Sequence, residues 1–310
     1  MFVGCNTLSF TGGLKSDTDA INMLAQAGFD CVDLNLNRYS VKEPVSPFWL
    51  MTVTEQQKYA AEIKKAARDA KVFISQVHAP YPTFHPTKRK RKEVFEYVEN
   101  AIYITALIGA PYIVVHPQVP PESKTEEQVK QAIEDNIDFY KGFADILRQT
   151  GVKVAIENMF NWDWGLDRPL VTVASTADCM RYMLDTLNYM CGETLFVACL
   201  DTGHGMLTGG GDLPYMVRRL AHRLRLLHIH DNDGIRDRHQ VPYTGIIDWD
   251  AFAAALVEID YNGVLSLEVK VKEPDINAAK NVFLTAERLR LTVEKEKKNN
   301  ELCSKKTKRT

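Results

Sequence analysis

The chain alternates between short hydrophobic runs and longer segments with helical periodicity. Strands that are buried on both faces of a parallel sheet are continuous apolar runs, whereas surface helices repeat apolar residues every three or four positions. Regular alternation of the two is typical of parallel βα units. The runs that predict strands are Phe2–Leu8, Phe29–Leu36, Val72–His78, Tyr112–His116, Val152–Glu157, Leu195–Asp201, Leu224–His230 and Val264–Val269.

The segments between these strands predict helices, and glycines mark several helix ends. Gly28, Gly109, Gly151 and Gly263 stand directly before predicted strands, where the ends of helices favour glycine. Eight βα units in series predict one α/β domain, a (β/α)8 TIM barrel with its active site at the carboxyl ends of the strands. The predicted helices cover residues 17–27, 54–70, 88–108, 125–149, 176–190, 212–222, 249–258 and 276–294.

No change in composition along the 310 residues indicates a second domain. We therefore assign residues 1–293 to the barrel. Residues 294–310 are mostly Lys, Glu, Asn and Thr, and they predict a fraying helix end or a disordered extension. The loop 37–52 is long for a connector, and it is either a lid over the barrel mouth or a packed surface loop.

Composition limits the partners and the compartment. The net charge of −2 gives no general electrostatic reason to expect nucleic-acid binding. The six cysteines form no C-x-x-C pair, and several lie in apolar runs, which favours a reducing compartment. The sequence shows no signal region and no apolar stretch of membrane-spanning length. We expect a cytoplasmic protein without a membrane partner, and homo-oligomerisation is left open.

The densest chemistry lies in residues 227–239, where three histidines and three aspartates follow the hydrophobic run Leu224–Leu227. In a parallel barrel this position is the end of a strand, at the mouth. Neutral imidazole and carboxylate are ligands that suit Zn, Mn and related divalent ions. The stretch therefore predicts metal ligands at the barrel mouth.

Other predicted strands end in the same way. A single strand-end His is more often a hydrogen-bonded structural residue than a ligand, but an unpaired buried carboxylate costs several kcal/mol. Because the carboxyl ends of barrel strands converge on one face, six such endings favour a shared explanation, a metal centre. The six residues are His78, His116, Glu157, Asp201, His228 and Glu268.

With these residues the chain resembles the xylose isomerase-like TIM barrel superfamily, which joins sugar-phosphate isomerases and epimerases with AP endonucleases of the endonuclease IV type. The resemblance covers roughly residues 1–290. It is most specific in H-I-H-D-N-D-x(3)-D-R-H-x(5)-G-x-I-D-W, from His228 to Trp249. In the epimerases of this superfamily one divalent ion is held by four residues, whose counterparts here are Glu157, Asp201, His228 and Glu268.

In the endonuclease branch a trinuclear zinc site has further ligands, and the resemblance extends to them. It does not by itself imply DNA repair, because isomerase-like members of the superfamily also carry D-x-x-H and D-x-H pairs. A second metal or a substrate is the alternative role for these residues. The counterparts in this chain are His78, His116, His204, Asp237 and His239.

The leading hypothesis is a sugar or sugar-phosphate isomerase or epimerase that transfers a proton through a metal-stabilised enediolate. Glu157 and Glu268 are the predicted acid/base residues, as the resemblance implies. The expected cofactor is a divalent ion, Mn, Co, Mg or Zn, with one ion expected and two or three left open. The alternatives are a multinuclear-zinc phosphodiesterase of the AP endonuclease type and a non-catalytic metal-binding barrel.

Residues around the predicted ligands indicate the substrate. Glu157 is followed by Phe160, Trp162 and Trp164 where the endonucleases have small, glycine-rich sequence, and an apolar wall suits one face of a sugar. We expect a small carbohydrate substrate, with Trp162, Trp164 and Arg238 as contacts. The basic run Lys88–Lys92 is the main observation against this expectation. It is either a solvated helix face or a contact for the phosphate of a sugar or of a nucleic-acid backbone. The roles of His85, His230, Asp231 and Arg236 are left open between substrate contact and support.

Overall fold

A curved sheet of eight parallel strands forms the centre of the computed structural model, which describes residues 1–10, 14–208, 210–272 and 274–307. Two further strands, β6 and β7, pair antiparallel with each other outside this sheet. The strands are β1 (Val3–Asn6), β2 (Cys31–Asn35), β3 (Phe73–His78), β4 (Tyr112–Val115), β5 (Lys153–Glu157), β6 (Asn161–Asp163), β7 (Arg168–Leu170), β8 (Phe196–Asp201), β9 (Leu224–His228) and β10 (Leu265–Leu267).

The sheet closes on itself into a barrel. Its strand order is β10-β1-β2-β3-β4-β5-β8-β9. The two end strands meet just beyond β9, where Ile229 N–H donates to the carbonyl of Ser266 at 2.8 Å and Glu268 N–H donates to the carbonyl of Ile229 at 3.0 Å. The prediction of a (β/α)8 barrel is confirmed, and all strand ends that carry predicted ligands open on one face.

Helices cross between the strands on the outside of the barrel. Among the described residues, none of these helices has both the length and the apolar character needed to cross a bilayer. Predicted and observed bounds agree to within two residues for most of them. The helices are α1 (Asp17–Ala27), α2 (Val53–Asp69), α3 (Lys88–Ile108), α4 (Glu126–Lys141), α5 (Ala144–Thr150), α6 (Ala177–Cys191), α7 (Thr202–Thr208), α8 (Leu213–Leu220), α9 (Trp249–Glu258) and α10 (Ile276–Thr307).

Three helical segments differ from the sequence pattern. The single helix predicted over 125–149 is wrong, because the chain breaks into α4 and α5 at Gly142. A Cβ atom at Gly142 would lie 2.9 Å from the ring of Phe95, so the close approach of α3 requires glycine. The short helix α7 was not predicted, and α10 continues beyond residue 294 to Thr307. The division into a barrel of 1–293 and a tail stays a prediction, and residues 308–310 lie outside the described residues.

The barrel interior beneath the strand ends is apolar on one side and polar on the other. Side chains two positions apart on a strand face the same way, so these residues lie below the strand-end residues. On β4, β5, β8 and β9 they are the apolar cluster of Val114, Ala155, Val197, Cys199 and Leu226. On the four adjacent strands β10, β1, β2 and β3 they are Ser266, Asn6, Asp33 and Gln76, all 0% exposed.

The loop 37–52 packs against α1 and α2. The ring of Tyr39 stacks on Phe48 with centroids 3.8 Å apart, and the indole of Trp49 donates to the carbonyl of Tyr39 at 2.8 Å. Buried Asp17 anchors the start of the loop, because it accepts hydrogen bonds from Tyr39 and from Tyr59 of α2 at 2.6 and 2.7 Å. For these side chains the structure shows the packed loop rather than a lid.

Candidate metal centre

Glu157 ends β5 and lies at the centre of a buried cluster of imidazoles. Its Oε2 atom lies 3.0 Å from His116 Nε2, 3.1 Å from His228 Nδ1 and 3.7 Å from His78 Nε2. Its Oε1 atom lies 3.4 Å from His204 Nδ1. Burial favours the neutral acid, but the charges of His116 and His228 hold the pKa of Glu157 well below its ordinary value. One ionised carboxylate therefore lies within 3.7 Å of four histidine side chains.

The first potential ligand group comprises the four residues expected to hold one ion. Asp201 ends β8, His228 ends β9, and Glu268 follows β10. His228 Nδ1 lies 2.9 Å from Glu268 Oε2, on the other side from Glu157. Burial disfavours the imidazolium, yet the surrounding acidic groups raise the pKa of His228 well above its usual range. Glu157, Asp201, His228 and Glu268 each offer one atom within 4.8 Å of the others.

The second group combines Glu157 with His78 and His116 from β3 and the end of β4. His78 Nδ1–H donates to the carbonyl of Ala79 at 2.9 Å, which leaves Nε2 facing Glu157. The ring of Tyr81 packs edge-on against His116 with centroids 4.9 Å apart. No sequence pattern singled out Tyr81, although it follows His78 by three positions and is 40% exposed at the mouth.

The third group contains His204, His230, Asp237 and His239. Asp237 Oδ2 lies 2.9 Å from His239 Nε2 and 3.8 Å from His204 Nε2. Burial lowers the pKa of His239, but its hydrogen bond to Asp237 and the charges of Asp237, Glu268 and Asp201 together raise the pKa to about 9. The backbone of His239 has a φ of +48°, an uncommon left-handed conformation for a side chain of this kind. This backbone conformation turns the end of the loop 231–239 so that the imidazole of His239 lies at the barrel mouth.

His230, whose role the sequence left open, contacts both Asp201 and the third group. Its Nε2 atom lies 2.9 and 3.0 Å from the two oxygens of Asp201. Its ring stacks on His239 with centroids 4.2 Å apart. A Cβ atom at Gly203 would lie 1.9 Å from the ring of His230, so only glycine allows this approach. Gly203 lies in the sequence Asp201-Thr202-Gly203-His204, but the spacing of these residues alone does not indicate the contact with His230.

The donor atoms of the cluster fit divalent cations. In His78, His204 and His239 the Nδ1–H donates to a main-chain carbonyl at 2.8 to 2.9 Å, so each Nε2 faces carboxylates and becomes a metal ligand once it gives up its proton. Nδ1 of His228 is buried and faces the carboxylates of Glu157 and Glu268, and Oδ1 of Asp237 is buried without a hydrogen-bond partner among the described residues. Cations bound among these atoms would satisfy the lone pairs and balance the four carboxylates. The residue set therefore fits one ion and offers ligands for a second and a third.

Comparison with known families identifies the family of this chain. The sequence profile described as "Xylose isomerase-like TIM barrel" matches residues 21–290. The chain belongs to this family. The predicted resemblance is thereby confirmed.

Relatives of this chain include uncharacterized proteins and a probable endonuclease. The uncharacterized protein MJ1311 of Methanocaldococcus jannaschii is 25% identical over 83% of this chain and 80% of its own length. The probable endonuclease 4 of Mycobacterium leprae is 28% identical over 58% of this chain and 67% of its own length. The match to the uncharacterized protein y4fM of Sinorhizobium fredii, 26% identical, covers 58% of this chain and only 53% of that protein.

Solved structures share the xylose isomerase-like fold over nearly the whole chain. A D-tagatose 3-epimerase-like protein superposes with a TM-score of 0.72 at 22% identity, covering 95% of this chain and 99% of the other. The IOLI protein with a bound zinc atom superposes with a TM-score of 0.70 at 19% identity, covering 96% and 99%. An L-ribulose 3-epimerase gives 0.69 at 18% identity, covering 98% of both. At these identities the likeness shows the fold.

The β6–β7 hairpin places an aromatic wall beside this xylose isomerase-like site. The ring of Phe160 lies 5.2 Å from that of His204, and the half-buried ring of Trp162 follows at 6.3 Å from Phe160. The guanidinium of Arg236 stacks on Trp162 at 4.5 Å and pairs with Asp167. The structure therefore brings Phe160, Trp162 and Arg236 together on one side of the site.

Two other predicted substrate contacts lie farther out. Trp164 is 83% exposed, with its ring 6.1 Å from that of Trp162. Arg238 is 54% exposed, and its guanidinium pairs with Asp233 at 2.9 Å. Their roles in substrate binding stay predictions.

The basic run Lys88–Lys92 forms the first turns of α3. Three of its five side chains are engaged in ion pairs within the chain, which is the arrangement expected of a solvated helix face. A fourth, Arg91, lies over the ring of Phe84 at 5.9 Å. The pairs are Arg89 with Glu93, Lys90 with Glu43 and Glu93, and Lys92 with Glu96.

Proposed function

We propose that this protein is a divalent-metal-dependent isomerase or epimerase of a sugar or sugar phosphate. One observation carries the proposal. Glu157 and Glu268 approach the same buried nitrogen, His228 Nδ1, at 3.1 and 2.9 Å from two different strands of the barrel. Two carboxylates on different sides of one ligand position suit removal and return of a proton on different faces of a bound substrate.

Glu157 and Glu268 supply the proton-transfer groups in this proposal. Burial opposes ionisation of Glu268, but the charge and hydrogen bond of His228 hold its pKa below the ordinary value. Both carboxylates are therefore ionised at neutral pH and able to accept a proton. One removes the proton from the carbon beside the substrate carbonyl. The other, once it has taken up a proton from solvent, returns that proton to the same carbon or its neighbour, and the first releases its proton to solvent.

A divalent ion held by Glu157, Asp201, His228 and Glu268 would supply Lewis-acid polarisation of the substrate carbonyl and its neighbouring hydroxyl. His230 holds Asp201 because its Nε2–H donates to the carboxylate oxygens. Phe160 and Trp162 offer apolar surface to one face of a sugar and exclude water from the reacting carbon. The paired state of the Lys88–Lys92 run also favours a small substrate over a nucleic-acid backbone.

A second candidate function is phosphodiester hydrolysis by a multinuclear metal site. The observation that favours it is the shared position of Glu157, which belongs to both the first and the second group, with the third group beside them. Metal ions roughly 3.5–4 Å apart would stabilise the attacking and leaving oxygens of such a reaction. The similarity to a probable endonuclease 4 is consistent with this candidate.

An isotope experiment separates the two candidates. Protein loaded with Mn or Co is incubated in deuterated water with a panel of ketoses and sugar phosphates, and we expect deuterium beside the carbonyl or a new epimer for at least one compound. Glu268→Gln should abolish either product. A parallel assay with a duplex containing an abasic site should find no incision. Incision that Glu157→Gln abolishes, with no conversion of any sugar, would establish the hydrolase instead.

A further inference from the structure

Asp33 lies inside the barrel directly against His228. It is 0% exposed, on β2. Its Oδ2 atom accepts hydrogen bonds from Asn6 Nδ2 at 3.2 Å and from Gln76 Nε2 at 3.1 Å. The same oxygen lies 3.3 Å from Nε2 of His228, the ring nitrogen that faces away from Glu157 and Glu268. The carboxylate is therefore fixed from two sides and directed at the far edge of this imidazole.

Two neutral tautomers of His228 are possible. With the proton on Nδ1, the ring donates to Glu268 Oε2 at 2.9 Å, and Nε2 accepts from the amide of Gln76 at 2.9 Å. With the proton on Nε2, the ring donates to Asp33 Oδ2 at 3.3 Å, and the Nδ1 lone pair faces Glu157 and Glu268. In this second tautomer the amide of Gln76 has to shift off Nε2 while it still donates to Asp33, because two N–H groups would otherwise face each other. Only the second tautomer leaves Nδ1 free to bind a cation, because a protonated nitrogen is not a ligand.

We propose that Asp33 is a positioning residue that keeps the His228 ring protonated at Nε2 and so frees Nδ1 for a divalent cation. In this structure Gln76 presents its amide nitrogen to the ring, and an amide nitrogen cannot accept the ring proton, so Asp33 is the acceptor and Gln76 helps to hold it. A carboxylate that accepts the outer N–H of a ligating histidine also makes that ring a stronger ligand. The proposal rests on the metal-dependent function proposed above and adds a residue that no sequence pattern singled out.

Asp33 can be tested by substitution, because it is a side-chain acceptor, unlike the acceptors of three other imidazoles of the centre. His78, His204 and His239 donate their outer N–H to main-chain carbonyls, which no side-chain substitution removes. At His228 the acceptor is a side chain, so one substitution separates orientation of the ring from the ligand itself. Ser266 provides a matched control, because it is equally buried in the polar half of the interior and its hydroxyl has no hydrogen-bond partner in the part of the chain that the structure describes.

Zinc and manganese affinities of the whole protein, measured by equilibrium dialysis with elemental analysis, test the proposal. We expect Asp33→Ala to bind the tightest ion about 10–100-fold more weakly, which is the usual effect of losing a partner of a metal-bound histidine. Asp33→Asn should lose less, because its amide oxygen still accepts the ring proton. Ser266→Ala should bind like wild type. Wild-type affinity in folded Asp33→Ala would overturn the proposal.

Imidazole nitrogen spectra of the protein with Asp33 intact give a second readout that does not depend on the folding of an Asp33 variant. In 15N-labelled, zinc-loaded protein the His228 signals, assigned by their loss in His228→Gln, should show a proton on Nε2 and none on Nδ1. A proton on Nδ1 would overturn the proposal. If zinc affinity and the tautomer follow Asp33 but no sugar is converted, the proposed reaction fails while the role of Asp33 stands.

Discussion

His228 Nδ1 and Glu157 Oε2 lie 3.1 Å apart, although β8 separates their strands in the sheet. The barrel interior brings them together, and the same carboxylate also reaches His116 and His204. Glu157→Gln keeps the shape and removes the charge that these rings share. We expect more than about 100-fold weaker binding of the tightest metal ion, beyond the range for a group that only supports a ligand.

Elemental analysis after dialysis checks the Glu157→Gln prediction. Glu134→Gln is the control, because Glu134 is exposed on α4, away from the mouth. Equal metal content in the two variants would show that Glu157 is not a ligand.

Gly203→Ala should disturb His230 without removing any predicted ligand. The new methyl group would lie 1.9 Å from the ring, so His230 must leave Asp201 or the backbone must move. Such overpacking typically lowers the free energy of unfolding by about 1–3 kcal/mol. Urea unfolding and metal stoichiometry measure both effects. Gly165→Ala serves as the control, because its Cβ would meet only Asp163 at 3.3 Å, and a variant at Gly203 that matches it would contradict this account.

The strand-end ligands could be predicted because position along a parallel strand fixes which end of the barrel a side chain reaches. His78, Glu157, Asp201 and His228 close their strands in the structure, and Glu268 follows directly after β10. A run of apolar residues with one polar residue at its end is enough to locate such a site. The eight-stranded fold follows from the same repeated pattern.

Contacts between strands could not be predicted, because they depend on register and on the barrel's curvature. Asp33 and Gln76 are polar residues inside predicted strands, and nothing in their spacing indicates that both face His228. The β6–β7 hairpin is also invisible to periodicity, since its strands are three residues long. The position of Trp162 against Arg236 depends on that hairpin.

Asp17→Ala should destabilise the protein strongly. The buried carboxylate accepts hydrogen bonds from Arg38, Tyr39 and Tyr59 at 2.6 to 2.7 Å, and their loss leaves several donors without a partner. We expect the free energy of unfolding to fall by about 3 kcal/mol or more, because each buried polar group left without a hydrogen-bond partner costs about 1–3 kcal/mol. Asp19→Ala removes an exposed capping interaction of the same helix and should cost about 1 kcal/mol. Urea unfolding of both variants tests the difference, and equal losses would refute it.

Asp233 should contribute to stability in a pH-dependent way. Backbone N–H of Arg236, the guanidinium of Arg238 and backbone N–H of Ile235 lower the pKa of Asp233 to about 2. Because the folded pKa lies below the unfolded value of about 3.9, the stabilisation is complete above that value and is lost as pH falls towards 2. Asp233→Asn should therefore be less stable than wild type at pH 7, and the gap should narrow below pH ~4. A gap that is constant from pH 7 to 3 would contradict the assignment.

Trp162→Ala should weaken substrate binding more than Trp164→Ala. Trp162 is half-buried under Arg236 and continues the wall from Phe160, whereas Trp164 is 83% exposed. Loss of one apolar face is worth about 1–3 kcal/mol, so we expect KM to rise roughly 10-fold or more with little change in kcat. Steady-state kinetics with the sugar identified by isotope exchange measure this, and similar KM values for the two variants would count against the wall.

The first strand of the chain is not an edge strand of the barrel, because β1 lies between β10 and β2. Val3 pairs with Leu265, and Met1 and Val293 line the same small cavity. A short linker from the end of the packed part of α10 to Met1, with new termini opened at exposed Gly165 between β6 and β7, would produce a circular permutant. In that molecule Asp201, His228 and Glu268 would precede Glu157 along the chain, while their positions around the barrel would be the same.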